Sequence, residues 1–158
     1  MGKYDDVSLA GGARERAVAR CRELFAAWGL TPPPVEPLAL DFGLGEFDRT
    51  GLIEYWLANE AACGYCGKFL VLFDAQRCPC HSHRMKHETF YVVKGQLEMI
   101  VDDVPRRMSE GDLLVMPPGR RHTFAAYGGG ALILEVSMPS IRQDNFFDDH
   151  RIGESGVI

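Results

Sequence analysis

Apolar residues recur along this chain at two different periods. Between residues 11 and 28, Ala17, Val18, Cys21, Leu24, Phe25 and Trp28 fall at helical spacing, with Arg14, Glu15, Arg16, Arg20, Arg22 and Glu23 on the other faces. The stretch therefore predicts one amphipathic helix. Gly29 supplies a stop, and Pro32, Pro33 and Pro34 cannot continue a helix, so extended chain leads onward. From Leu52 the pattern shortens into apolar runs bounded by Gly, Pro, Asn and Asp, at residues 52–57, 68–73, 89–93, 96–101, 112–116, 122–126 and 131–138. Several carry β-branched or aromatic residues, and their spacing suits hairpins rather than β-α-β units. This predicts an all-β antiparallel sandwich or barrel. Residues 139–158 show no period, yet Ile141, Phe146, Phe147 and Ile152 give the tail apolar anchors. The expected division is a helix with its lead-in over residues 1–39 and a β domain with its tail over residues 40–158.

Composition narrows this picture. The 158 residues are 46% hydrophobic and 25% charged, which fits a single soluble domain. A chain of this length buries roughly 70% of its unfolded surface and needs no metal or disulfide merely to fold. Net charge is −5 with neither sign gathered into a block, which argues against nonspecific nucleic-acid binding. The apolar runs fall far short of the ~20 residues of a membrane-spanning helix. The first nine residues carry Asp5 and Asp6 and lack the apolar centre of a secretion signal, so the expected location is the cytoplasm. Five cysteines make an odd count, which fits a reducing compartment. Cys63-x2-Cys66 with Cys78-x-Cys80 could form a zinc site; the plainer reading is small buried or partly exposed thiols.

The densest chemical signal lies in residues 78–90, where His81, His83, His87 and Glu88 fall close together. Two histidines separated by one residue on a strand point to the same side, roughly 6 to 7 Å apart, so His81 and His83 can converge on one ion. Glu88 follows across a turn as an oxygen donor. His87 is an alternative ligand, but an extended strand turns it to the opposite face from Glu88. A further candidate, His122, follows the turn Pro117-Pro118-Gly119. Three imidazoles and one carboxylate suit a six-coordinate divalent metal with two positions left open, which favours Mn²⁺, Fe²⁺, Ni²⁺ or Co²⁺, with Zn²⁺ at lower coordination.

These stretches resemble the cupin superfamily. Its first motif, Gly-x5-His-x-His-x3,4-Glu-x6-Gly, is matched by His81, His83, Glu88 and Gly95, with Ala75 in place of the leading glycine. Its second, Gly-x5-Pro-x-Gly-x2-His-x3-Asn, is matched by Gly111, Pro117, Gly119 and His122, with Ala126 in place of the asparagine. Neither departure removes a ligand. With the flanks included, Phe42-Gly43-Leu44-Gly45, Tyr65-Cys66-Gly67-Lys68, Lys86-x-Glu88-Thr89-Phe90, Glu135-Val136-Ser137 and Asp144-Asn145-Phe146-Phe147 resemble the D-lyxose ketol-isomerase family of cupins. The resemblance implies a jelly-roll domain and interconversion of D-lyxose with D-xylulose, often also D-mannose with D-fructose, with a divalent metal that is commonly Mn²⁺. Cupins often pair their sheets across a two-fold axis, so a homodimer is expected.

Aldose–ketose isomerisation through an enediol needs a Lewis acid and a base that moves a proton between C1 and C2. Lys86, two residues before Glu88, shares the ligand face if the segment is extended. Glu135 is the stronger base candidate, because a carboxylate inside the apolar run 131–137 needs a polar cavity or a partner. Its alternative is an outward position on an alternating strand. Lys68 and Gln76 bracket the strand before the ligands and could bond sugar hydroxyls or orient a histidine. Arg151, with Asp144 or Asp148, could close the pocket mouth or form a structural ion pair. Arg120-Arg121 reads as a solvated turn. Two rival functions share these features, a metal-dependent cupin dioxygenase and a noncatalytic sugar-binding cupin.

Overall fold

The computed structural model describes residues 4–158, so residues 1–3 of the amino-terminal stretch considered above lie outside the described residues. The helix α1 spans Gly11–Ala27. The strands are β1 (Leu38–Leu40), β2 (Leu52–Glu60), β3 (Tyr65–Leu72), β4 (Arg77–Ser82), β5 (Glu88–Val101), β6 (Val104–Ser109), β7 (Leu113–Met116), β8 (His122–Ser137) and β9 (Phe146–Phe147). They form one curled antiparallel sheet in the order β1-β2-β3-β8-β4-β9, with β5 bonded to β6, β7 and β8. The all-β class with an amino-terminal helix matches the expectation from sequence.

The long strands β5 and β8 form the spine. The carboxyl half of β8 pairs with β3, and its amino half pairs with β4. β5 runs antiparallel to β8 throughout, but the ladder jumps from Gly95↔Ala131 to Gln96↔Tyr127 and leaves residues 128–130 unpaired. A break of this kind lets a strand pair bend from one layer of a sandwich into the other. Each long strand therefore covers two of the apolar runs separated in the sequence reading. β1, β4, β6 and β9 have no counterpart among those runs. β6, Val-Pro-Arg-Arg-Met-Ser, buries only Met108 and so carries no apolar signature.

Strict alternation sorts the first layer into two faces. Leu52, Leu70, Leu72, Phe90, Val92 and Ile133 face the interior with Phe124 and Met99 of the opposing layer. Ile53, Tyr55, Val71, Phe73 and Leu132 face outward under α1, which buries Ala17, Cys21 and Phe25 against them. The helix ends as its sequence requires. Gly29, at φ +68°, donates to Ala26 O, and Leu30 N–H donates to Phe25 O, the paired bonds of a Schellman cap. The tail is ordered by its anchors, with Phe147 and Ile152 buried in the core and Ile141 exposed.

Candidate active site and metal centre

The site lies between the two layers, at the strand ends. His81 near the end of β4 pairs in register with His122 at the start of β8. His83 follows β4, and Glu88 opens β5. Ring centroids of His81 stand 4.3 Å from His122 and 5.0 Å from His83. One ring nitrogen from each of these three histidines lies within 4.8 Å of the others. The Glu88 carboxylate approaches two of them, at 3.4 Å from His83 Nε2 and 3.4 Å from His122 Nε2. Exposed His87 does not join the group.

Backbone carbonyls set the state of each ring. His81 Nδ1 donates to Pro79 O at 2.8 Å, His83 Nδ1 to Asp144 O at 2.8 Å, and His122 Nδ1 to Arg120 O at 3.1 Å. A carbonyl only accepts, so each Nδ1 carries a proton, and a neutral ring in this orientation keeps its lone pair on Nε2. Burial, with His122 and His83 as further causes, holds His81 well below the usual imidazole range; burial also lowers His122. Burial alone would raise Glu88, but the Lys86 ammonium beside it holds it well below the usual carboxylate range. His83 Nε2, His122 Nε2 and Glu88 Oε2 are buried without a hydrogen-bond partner. Lone pairs face carboxylate oxygens across 3.4 Å, an arrangement that a cation between them resolves. The donor set therefore fits a divalent metal.

A ladder of alternating charge continues from Glu88 across four neighbouring strands. Lys86 Nζ lies 2.6 Å from Glu88 Oε1 and 2.6 Å from Glu135 Oε1. Glu135 on β8 pairs in register with Lys68 on β3, whose Nζ is 3.4 Å from Glu135 Oε2 and 2.8 Å from Glu54 Oε1. Trp56 Nε1 donates to Glu54 Oε2 at 2.7 Å, and Ser137 Oγ donates to Glu135 Oε1 at 3.0 Å. Burial works against the charged form of both lysines, yet Glu135 and Glu54 raise Lys68 well above its usual value, and Glu135 with Glu88 raises Lys86. Three carboxylates face two ammonium groups, so the buried set is one positive charge short, which again favours a bound cation.

The structure places Glu135 inward at 2% exposure while Val136 beside it is 54% exposed, so the outward alternative for Glu135 does not hold. Glu54, Lys68, Lys86, Glu88, Glu135 and two of the histidines line one cavity. Its opposite wall is apolar, from Leu40, Phe42, Phe124 and Phe147. A mostly apolar cleft with a few convergent polar groups is the usual form of a small-molecule site.

Two candidates lie elsewhere. Gln76 is buried, but its amide accepts from Phe73 N–H and donates to Phe47 O, so it fixes a turn outside the cavity lining. Arg151 is exposed and bonds Asp149, away from the cavity lining. Asp148 pairs with Arg121, and Arg120 with Asp102, on the surface. The cysteines do not gather: Cys63 is exposed, Cys80 half-buried, and Cys66 and Cys78 buried on different strands. One residue escaped the sequence reading as a site component. Glu54 shares strand parity with Trp56 and stands near the cross-strand partner Lys68, a signal visible only once β2 is registered on β3. Asp144, considered above as a partner of Arg151 at the pocket mouth, is instead buried beneath the turn between His83 and Glu88.

Comparison with known proteins agrees with this geometry. The family model described as Cupin domain matches residues 70–137. The D-lyxose ketol-isomerase of a Thermofilum species is 30% identical, over 91% of this chain and 93% of that protein. The D-lyxose/D-mannose isomerase of Thermosediminibacter oceani is 31% identical, over 78% of this chain and 82% of that protein. Among solved structures, L-ribose isomerase from Geodermatophilus obscurus superposes with a TM-score of 0.74 at 16% identity, covering 96% of this chain and 99% of that one. That likeness concerns the fold.

Proposed function

The chain belongs to the D-lyxose ketol-isomerase family of cupins and is a sugar isomerase, and on that premise we propose that it interconverts D-lyxose with D-xylulose, and D-mannose with D-fructose, using a bound divalent metal, Mn²⁺ first. One observation carries this reading: a three-histidine, one-carboxylate donor set, of which His81, His83 and Glu88 line the cavity, adjoins a buried Glu135–Lys86 pair.

His81, His83, His122 and Glu88 are the residues that would hold the metal, and a divalent ion there supplies Lewis-acid polarisation of neighbouring sugar oxygens. Glu135 removes the C2 proton of the open-chain aldose, and Lys86 donates a proton to O1, giving the enediol. Glu135 returns its proton to C1 while Lys86 recovers one from O2, giving the ketose. Lys86 stands in the cavity lining with its ammonium between Glu88 and Glu135. Lys68 and Ser137 hold the Glu135 carboxylate in one orientation, and Glu54 holds Lys68. The aromatic wall limits water around the enediol.

The assembly belongs to the same proposal. On the outer face of the first layer, Val136, Thr89 and Val115 form one cross-strand row, and Leu134, Tyr91 and Leu113 form the next. Val115, Tyr91 and Leu113 are 48%, 41% and 53% exposed. An exposed apolar patch beside the helix-covered part of the sheet fits a second copy of the chain, so we read the protein as a homodimer. The cysteines carry no disulfide, which supports a cytoplasmic location.

The substrate and metal are tested together by stripping the protein with EDTA, reloading it with Mn²⁺, Fe²⁺, Co²⁺, Ni²⁺ or Zn²⁺, and measuring ketose formed from D-lyxose and D-mannose. The expected result is activity lost on stripping and restored best by Mn²⁺. Oxygen uptake with an organic substrate and no ketose would point to a dioxygenase instead.

A further inference from the structure

We propose that Asp144 is a positioning residue for the metal centre: by clamping the turn that carries His83 and Lys86, it makes metal affinity depend on docking of the carboxyl-terminal segment. The inference rests on the metal reading above and adds to it a residue distant in sequence from every ligand.

Asp144 ends a short 3-10 turn, Arg142–Asp144, and is 3% exposed. Its carboxylate accepts three successive backbone N–H groups of the ligand turn. Arg84 N–H donates to Oδ1 at 2.9 Å, Lys86 N–H donates to Oδ2 at 3.0 Å, and Met85 N–H lies 3.2 Å from each oxygen. Its own backbone carbonyl accepts from His83 Nδ1 at 2.8 Å. One residue thus fixes both the path of the turn and the tautomer of a metal-facing ring. These contacts span 58 to 61 residues of sequence. No carboxylate in the turn itself could replace them, since residues 84–87 are Arg, Met, Lys and His.

The energetic logic is direct. Without the acceptor, three N–H groups of a part-buried turn lose their partner, and the turn relaxes. His83 then loses the orientation of its ring, and Lys86 loses its place between Glu88 and Glu135. Partners that orient a metal-binding histidine typically change metal affinity by about 10- to 100-fold when altered. The chain before Asp144 is tied in turn to the amino-terminal segment, because Arg142 forms an ion pair with Asp6. The metal site is therefore completed by parts of the chain that arrive from both ends.

The test is Mn²⁺ binding by the full-length chain, read by the electron paramagnetic resonance signal of free Mn²⁺, for wild type, Asp144→Asn and Met108→Ala. Met108 is buried on β6, outside both the carboxyl-terminal segment and the cavity lining, so its variant reports plain destabilisation. The account expects Asp144→Asn to weaken Mn²⁺ binding by about 10-fold or more, while Met108→Ala lowers the melting temperature and leaves Mn²⁺ affinity within about twofold. Equal affinity in wild type and Asp144→Asn overturns the inference and leaves the metal reading standing. No Mn²⁺ binding by wild type overturns both. Should Asp144→Asn fail to fold, amide hydrogen exchange on wild type decides: Mn²⁺ should slow exchange in the peptides containing residues 84–86 and 141–145 together, and unchanged exchange in the second overturns the inference.

Discussion

At the scale of single residues, the account divides the buried polar set by task. His81→Ala and His122→Ala each remove a ring aimed at the common centre, so metal content after dialysis should fall in both; Glu135→Gln should retain metal and lose turnover by about a hundredfold or more, as expected for removal of a positioned base. Metal analysis beside an isomerisation assay separates the two outcomes, and equal metal content in all three variants would contradict the assignment. Glu54→Gln leaves Lys68 with Glu135 as its ion-pair partner. We expect a loss of about 2 kcal/mol in urea-unfolding free energy, the range for disturbing a buried charged hydrogen bond, with metal content unchanged. The histidines and Glu88 were legible in the sequence because their chemistry is written in local spacing. Glu54 was not, since it gains its meaning from a cross-strand neighbour, and Asp144 was read only as a partner for Arg151, because its task lies at a turn 58 residues away.

At the scale of elements, the corner shared by β5 and β8 determines whether the ligands meet. Glu88 and His122 open these two strands, and they converge only because the pair bends where Gly95 meets residues 128–130. Gly95 has φ +77°, and a Cβ there would lie 2.0 Å from Gly130 O. Gly95→Ala should therefore destabilise the fold by about 3 kcal/mol or more, from backbone strain with an added clash, seen as a lower melting temperature. An unchanged melting temperature would show that the corner is not close-packed. The sequence pattern found both halves of each long strand from their apolar runs but split them at the glycines, because glycine reads equally as a turn and as a bend inside a strand. β6 stayed invisible for a simpler reason: an almost fully exposed edge strand has no apolar alternation to detect.

At the scale of the whole molecule, one layer of the sandwich presents its inner face to the sugar cavity and its outer face partly to α1 and partly to solvent. The exposed part is where a second copy is expected. Tyr91→Glu places a charge in the middle of the apolar rows, and sedimentation velocity should show a dimer for wild type and a monomer for the variant, with the circular dichroism spectrum retained. A monomeric wild type would contradict the proposed assembly without touching the chemistry of the cavity. The fold class was legible from the alternation of short apolar runs, whereas the partner of the outer face was not, because a half-covered sheet and a solvent-facing one differ only in a few exposed side chains.

The central claim is that a buried carboxylate moves a proton between C1 and C2 of an open-chain sugar beside a metal-binding centre. Its most direct test is proton NMR of D-lyxose in D₂O with Mn²⁺-loaded protein, followed by removal of the paramagnetic ion before spectra are recorded. The account predicts D-xylulose and loss of the C2 proton signal of recovered D-lyxose through exchange with solvent, both abolished by EDTA and by Glu135→Gln. Metal-replete wild-type protein that binds the sugar yet yields neither ketose nor exchange at C2 would contradict it.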